Sequence, residues 1–269
     1  TVAQVQQIRQ GVTVFTEPRL WHVRGADVSR SKELAFTIKK SYKVINGRQR
    51  EVVTSIIPHY KVSERQYRTT AIKYEHNISR ILAEMPRGLS DRDKILYVHQ
   101  WLVKNVSYQK KAPNRYNAVG AIVDGQAVCK GYALAVKDIM NRLGIPAWYV
   151  VGNNNRHAWN IVKADGQWYH VDATWDAQRH DKTGIVSHRY VLLSSKAITA
   201  AKHKPEYIFI VKEWQLPIPP ADSEKYDRAW WRSYQGEIRL PAILDRNIAT
   251  PEALTTTDYT PIEEDLELE

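Results

Sequence analysis

At 269 residues, 43% hydrophobic and 25% charged, the chain has a globular composition with room for one sizeable core or a core plus a smaller lobe. Its single cysteine excludes an internal disulfide and any metal cluster built on several thiolates, and no apolar run approaches a membrane span. The formal charge of +10 is uneven, because Asp258–Glu269 carries six acids and no Lys or Arg, which leaves +16 on residues 1–257.

A basic body of that kind favours polyanionic surroundings, and an acidic polymer is one expected partner. The basic clusters Lys39-Lys40, Arg48 to Arg50 and Lys110-Lys111 are short and scattered, with no recognition-helix or RNA-binding signature beside them. Specific nucleic-acid binding is therefore not expected. The chain opens at Thr1 without a methionine, which leaves a trimmed precursor open.

In chain order, residues 33–57 place Leu34, Phe36 and Ile38 at period two, and Asn46-Gly47 separates two apolar runs, which predicts strands around a turn. Residues 63–86 carry Ile72, Ile78, Ile81 and Leu82 at helical spacing and stop at Pro86. Ser90 then opens a second helix, with Asp93 three residues on as in a capping box and an apolar face of Ile95, Val98, Trp101 and Leu102.

The lone thiol follows in "GQAVCKGYALAVKDIMNRLGIP" (125–146), where Tyr132, Val136, Ile139, Met140 and Leu143 recur at helical intervals before Gly144 and Pro146. Cys129 is thus expected at a helix N-terminus. Unpaired backbone N–H groups there favour a thiolate and can bind a developing oxyanion.

Residues 147–151, 157–163 and 167–174 read as strands, with Asp165-Gly166 as a two-residue hairpin turn. With Ala164 and Gln167 flanking that turn, Trp159 faces Asp172, His157 faces Thr174, and His157 and Asp172 become diagonal neighbours. His170 is assigned to the opposite face. Cys129, His157 and Asp172 thereby have the logic of nucleophile, base and orienting acid. "QLPIPPADS" (215–223) reads as a linker, Trp230-Trp231 as a docked helix or a binding surface, and the chain after Pro241 as weakly structured.

The stretches "AVCKGYA", "LGIP", "GNNNRHAWN" and "GQWYHVDATWD" resemble the core of the transglutaminase-like superfamily of papain-type cysteine enzymes, above all its microbial branch. The resemblance runs over about residues 90–195, and residues 15–21 resemble more weakly the segments that precede such cores. It implies an α+β, papain-like fold in which a helix bearing the nucleophile packs on an antiparallel sheet. Cys129 would be nucleophile, His157 base and Asp172 orienting acid. The division implied is an α+β extension over 1–88, a catalytic core over 89–214 and an acidic-tailed extension over 215–269.

The expected activity is acyl transfer from an amide or peptide bond through a Cys129 thioester, on a protein or peptide substrate that can be wall-associated. No cofactor or metal is expected, since the nine histidines form no HExxH arrangement and a thiol triad needs none. Tyr108 and Gln126 are candidates for completing the oxyanion hole, and Trp159, Trp168 and Trp175 for lining a substrate channel. The resemblance favours an extracellular or cell-surface location and leaves a cytoplasmic one open. The alternative from another class is a wall- or matrix-associated binding module with a vestigial triad.

Overall fold

The computed structural model describes residues 36–184, 186–211 and 214–227. Residues 15–21, Trp230-Trp231 and the chain after Pro241 lie outside them. Strands β1 (Phe36–Ile45) and β2 (Arg48–Pro58) form an antiparallel hairpin. It turns through Asn46 and Gly47 at φ 52° and 72°, the two positive values that a twisted two-residue hairpin demands.

Helix α1 (Glu64–Ala83) starts at Ser63, which exchanges reciprocal capping bonds with Gln66. Helix α2 (Asp91–Asn105) starts at Ser90, whose hydroxyl accepts the Asp93 N–H at 3.2 Å. α2 is more deeply set than one apolar face implies, because Leu96, Tyr97, His99, Gln100 and Val103 are buried along with the expected Ile95, Val98, Trp101 and Leu102. α1 contributes Tyr74, Ile78 and Ile81 to the same core.

Short strands β3 (Ser107–Tyr108) and β4 (Gln126–Ala127) pair in parallel around a π-helical turn at Gly120–Asp124. Helix α3 (Cys129–Arg142) leaves directly from β4. The chain continues through β5 (Ala147–Gly152), β6 (His157–Ala164), β7 (Gln167–Val171), α4 (Ala173–Thr183), β8 (Val191–Leu193), α5 (Ser195–Ala200), β9 (Pro205–Val211) and β10 (Trp214–Leu216). The last six strands, in the order β10-β9-β5-β6-β7-β8, make one antiparallel sheet. This is an α+β arrangement.

α3 packs on one face of that sheet. Asn160, buried at the middle of β6, donates from Nδ2 to the Ala133 carbonyl in α3 (3.0 Å) and to the Trp148 carbonyl in β5 (3.2 Å). Val162, Tyr169 and Val171 share its core with Tyr132 and Ile139, whereas Val150, Trp159, Ile161, Ile208 and Ala221 form a smaller cluster.

Three expectations are corrected. The strand expected over 167–174 ends at Val171, because the Asp172 side chain caps a helix by accepting the N–H groups of Thr174 and Trp175. His170 shares a face with Trp159 rather than opposing it: Ile161 pairs with His170, directly paired residues point to the same side, and the Trp159 Nε1–H donates to His170 Nδ1 at 3.1 Å. The segment expected as a linker begins as edge strand β10 and then docks. The Ala221 carbonyl accepts the Ser195 N–H (2.7 Å), and Asp227 accepts both the Ser194 N–H and hydroxyl.

Close approach of α3 to the loop before it depends on Gly131. A Cβ there would stand 2.6 Å from the Arg115 carbonyl oxygen and 2.9 Å from the Ala127 Cβ, inside contact distance of backbone that cannot yield cheaply. Gly131→Ala is expected to lower stability by about 1–3 kcal/mol in urea titration and to slow alkylation of Cys129 by displacing the start of α3.

Candidate active site

Cys129 is the first residue of α3, and Val128 before it offers no side-chain cap to the helix N–H groups. The approach is fixed by backbone bonds: Ser107 N–H to Gly125 (2.9 Å), Gln109 N–H to Ala127 (3.0 Å) and Val128 N–H to Arg115 (2.9 Å). The thiol is half-buried.

His157 is the first residue of β6, which lets it meet the helix N-terminus at the end of the sheet. Immediately before it, Asn153, Asn154 and Asn155 all have positive φ (53°, 58° and 59°). Asn tolerates that left-handed region better than most side chains. The loop is tied down by Asn153, which exchanges bonds with the Lys204 backbone (2.7 and 3.0 Å), and by the Asn154 N–H donating to Glu206 (2.6 Å). Tyr207 also bonds Asn155.

Asp172, at the N-cap of α4, is 1% exposed and uses both carboxylate oxygens. Oδ1 accepts the backbone N–H groups of Thr174 (2.8 Å) and Trp175 (3.3 Å). Oδ2 accepts from His157 Nε2 at 2.7 Å and from His203 Nε2 at 2.8 Å. With Nε2 of His157 engaged there, Nδ1 is left for the Cys129 thiol, its other side-chain partner.

Electrostatics follow from this packing. Burial pulls the His157 pKa down, but the charge and hydrogen bond of Asp172, joined by those of Cys129, outweigh it and push it up to about 10. Burial alone would raise Asp172. The charge and hydrogen bond of His157, then those of His203, instead hold it well below the usual carboxylate range. His170, lowered to about 3 by burial and then by the charge of His203, stays neutral and accepts from Trp159.

His203 was not anticipated from the sequence. It lies in the turn after α5, fully buried, with its ring 4.2 Å from that of Trp175 and 5.1 Å from that of Trp159. Tyr149 was also missed: its phenol is buried, and burial together with the nearby charge of Cys129 raises its pKa. No local motif marks either residue.

The other expected residues divide. Tyr108 comes close enough to Cys129 that, after burial, the thiol's charge is the next influence raising its pKa. Its backbone N–H is committed to Asp181 (3.0 Å), so the hydroxyl is what it can offer an oxyanion. Gln126 is exposed on β4. Trp159 is 1% exposed and stacks on His157 at 5.5 Å, a core position rather than a channel wall. Trp168 pairs with Lys163, six residues along β6 from His157 and hence about 20 Å away. It does not wall the thiol. Trp175 is half-buried, 5.6 Å from the His157 ring, and borders a cavity.

Donor atoms of His157, Asp172 and His203 all lie within 4.8 Å of one another, the dimensions of a metal site. An ion there would bind Nε2 of His157 and of His203 only after displacing the protons they donate to Asp172, so metal occupancy and thiol–imidazole–carboxylate chemistry compete for the same atoms. Among the described residues no helix is long and apolar enough to cross a membrane.

Residues 80–173 match the family model of the transglutaminase-like superfamily core, a span that includes Cys129, His157 and Asp172. Kyphoscoliosis peptidase of Mus musculus is 22% identical over 165 residues, 53% of this chain and 24% of that protein. The Homo sapiens protein of that name is 22% identical over 161 residues, 51% and 24%. The chain thus spans about a quarter of the length of the curated relatives it matches. A solved TGase is 21% identical, with TM-score 0.35 over 52% of this chain and 45% of its own.

Because the His157 pKa is raised on folding, its contribution to stability is complete below about pH 6.5 and fades as pH rises through about 10. Asp172, depressed on folding, contributes above about pH 3.9 and loses that contribution as pH falls. Asp172→Asn removes the main influence holding His157 protonated against burial. Imidazole NMR is expected to show the His157 titration falling by about two units or more.

Proposed function

From the premise that the chain carries a transglutaminase-like core over residues 80–173, we propose that it is a cysteine-dependent acyl-transfer enzyme acting on an amide of a protein or peptide. The observation that carries this reading is the thiol at the start of α3 partnered with His157, whose far nitrogen is held at 2.7 Å by a buried carboxylate. A vestigial binding module gives no reason to place the thiol of a helix N-terminus against that imidazole–carboxylate pair.

In this mechanism the His157 imidazolium is the counter-charge that sustains a thiolate at Cys129. Sulfur attacks the amide carbonyl carbon, and the C–O π electrons move onto oxygen. The Cys129 backbone N–H and the Tyr108 hydroxyl receive that oxyanion. As the intermediate collapses, the C–N bond breaks and the proton on Nδ1 passes to the departing amine, leaving a thioester and a neutral imidazole. Nδ1 then takes a proton from water or an acceptor amine as that group attacks the thioester, and sulfur leaves as thiolate. Asp172 keeps the Nε2–H tautomer and ring angle throughout, and His203 fixes Asp172 from behind.

Cys129→Ala and His157→Ala are expected to abolish turnover, the former with native circular dichroism. Asp172→Asn is expected to lower kcat by about three to four orders of magnitude. Retained turnover in Cys129→Ala refutes covalent catalysis.

Water is the favoured resolving nucleophile, because the Asn154–Arg156 stretch beside His157 is exposed and a basic surface repels a cationic amine. With a glutamine-containing peptide and excess primary amine, mass spectrometry is expected to show mainly the free acid. Predominant amine incorporation makes transamidation the activity.

A further inference from the structure

A cavity of about 320 Å³ opens beside the site, with Trp175 and Tyr190 on its inner side and Gln178, Arg179, Lys182 and Arg189 around it. Trp175 joins it to the chemistry, since its ring lies 5.6 Å from that of His157 and 5.2 Å, edge-on, from that of Tyr190. On α4, Trp175, Arg179 and Lys182 follow at intervals of four and three, so one helix face carries the aromatic wall and two cations outward from the reacting end. Arg189 adds a third cation from the loop before β8.

Nothing within the described residues neutralises this group. Arg179, Lys182 and Arg189 are exposed, none of them forms an ion pair with a described residue, and no carboxylate of a described residue borders the cavity. The acids of the same segments are turned elsewhere. Asp176 is fully buried, bonded to His99 Nε2 (3.0 Å) and to the backbone N–H groups of Arg189 (3.1 Å) and Tyr190 (2.9 Å). Asp181 accepts the Tyr108 N–H. Asp176 therefore has a second effect, since it fixes the loop that carries Arg189 against α4. Three like charges held around one concavity without a counter-charge raise the local concentration of anions.

We propose that this cavity is a specificity subsite for a carboxylate side chain of the peptide substrate, so that the enzyme prefers amides flanked by Glu or Asp. The assignment rests on the acyl-transfer reading of Cys129 for its meaning, but not for its test. α4 runs about 10 Å from Trp175 to Lys182, and an extended peptide advances about 3.3–3.6 Å per residue. The acidic residue accordingly stands about two to four positions from the reacting amide. The two guanidinium groups can grip it bidentately while its stem lies against Trp175.

The test separates binding from chemistry by using full-length Cys129→Ala protein and fluorescence anisotropy. The probes are a fluorescein-labelled glutamine peptide with Glu residues at two to four positions from the glutamine, and its counterpart with Gln in their place. The acidic peptide is expected to bind about tenfold more tightly, with an advantage that shrinks as NaCl rises through screening. Added Arg179→Gln/Lys182→Gln is expected to erase that advantage, and Arg189→Gln, on a separate element, to reduce it. Equal affinity for the two peptides, or an advantage untouched by both the α4 pair and Arg189→Gln, overturns the assignment. In active protein the same pair of peptides is expected to differ in kcat/KM in the same direction. A protein that discriminates in binding but turns over neither peptide keeps the subsite and refutes the acyl-transfer reading.

Discussion

Four segments of the chain meet at one carboxylate. Asp172 follows β7, caps α4, holds the first residue of β6 through His157 and holds the turn before β9 through His203. Its backbone joins a fifth, the N–H donating to the Tyr190 carbonyl at 2.7 Å. A buried carboxylate without partners would be protonated or destabilising. One that accepts four hydrogen bonds, two from imidazoles, stays ionised and makes its neighbours' positions interdependent. The direction of charge at His157 is a consequence of that arrangement rather than of the histidine itself.

The thiol reaches this centre from a different layer. α3 lies on the face of the sheet that carries Asn160, and its start is set by the parallel β3–β4 pair and by the absence of a Cβ at Gly131. Tyr132 extends the anchorage by donating its hydroxyl to the Val106 carbonyl at the end of α2. A helix fixed at this end presents N–H groups and a sulfur to one point in space, which is the preorganisation that acyl chemistry needs. The aromatic rings around His157 then restrict solvent on the imidazole's flanks: Trp159 on one side, Trp175 on another and His203 at 5.4 Å.

On the proposed reading α4 links reaction and recognition: its N-cap Asp172 orients His157, its first turn carries Trp175, and its later turns carry Arg179 and Lys182. The buried Asp176 on the same helix, bonded to His99 of α2, keeps that face turned outward. A change in the seating of α4 would therefore reach both the His157–Asp172 pair and the cationic cavity.

Much of this was legible from local chemistry. Asn46-Gly47 and Asp165-Gly166 announced their hairpins because few dipeptides accept two positive φ values, and Asp165 (49°) and Gly166 (77°) have them. The latter turn fixed the β6–β7 register, so the nearness of His157 to Asp172 followed from counting. Ser90 and the Gly144-Pro146 stop marked helix boundaries through capping and breaker chemistry, whereas the Ser63–Gln66 capping box at the start of α1 emerged only in the structure. Counting failed where a side chain competed with the pattern: Asp172 reads as the next strand residue until its carboxylate is seen taking the N–H groups of a new helix. His203, 31 residues from Asp172, and Tyr149, 20 from Cys129, left no periodic or spacing signal. Only the folding of β9 against β5, and of α3 onto the sheet, brings them to the centre. The sequence by itself determined which residues could do chemistry and their local conformations, because propensity, capping and turn sterics act over a few residues. The tertiary structure alone decided which groups share a carboxylate and which cations surround a common cavity, because those contacts join positions that no short-range rule connects.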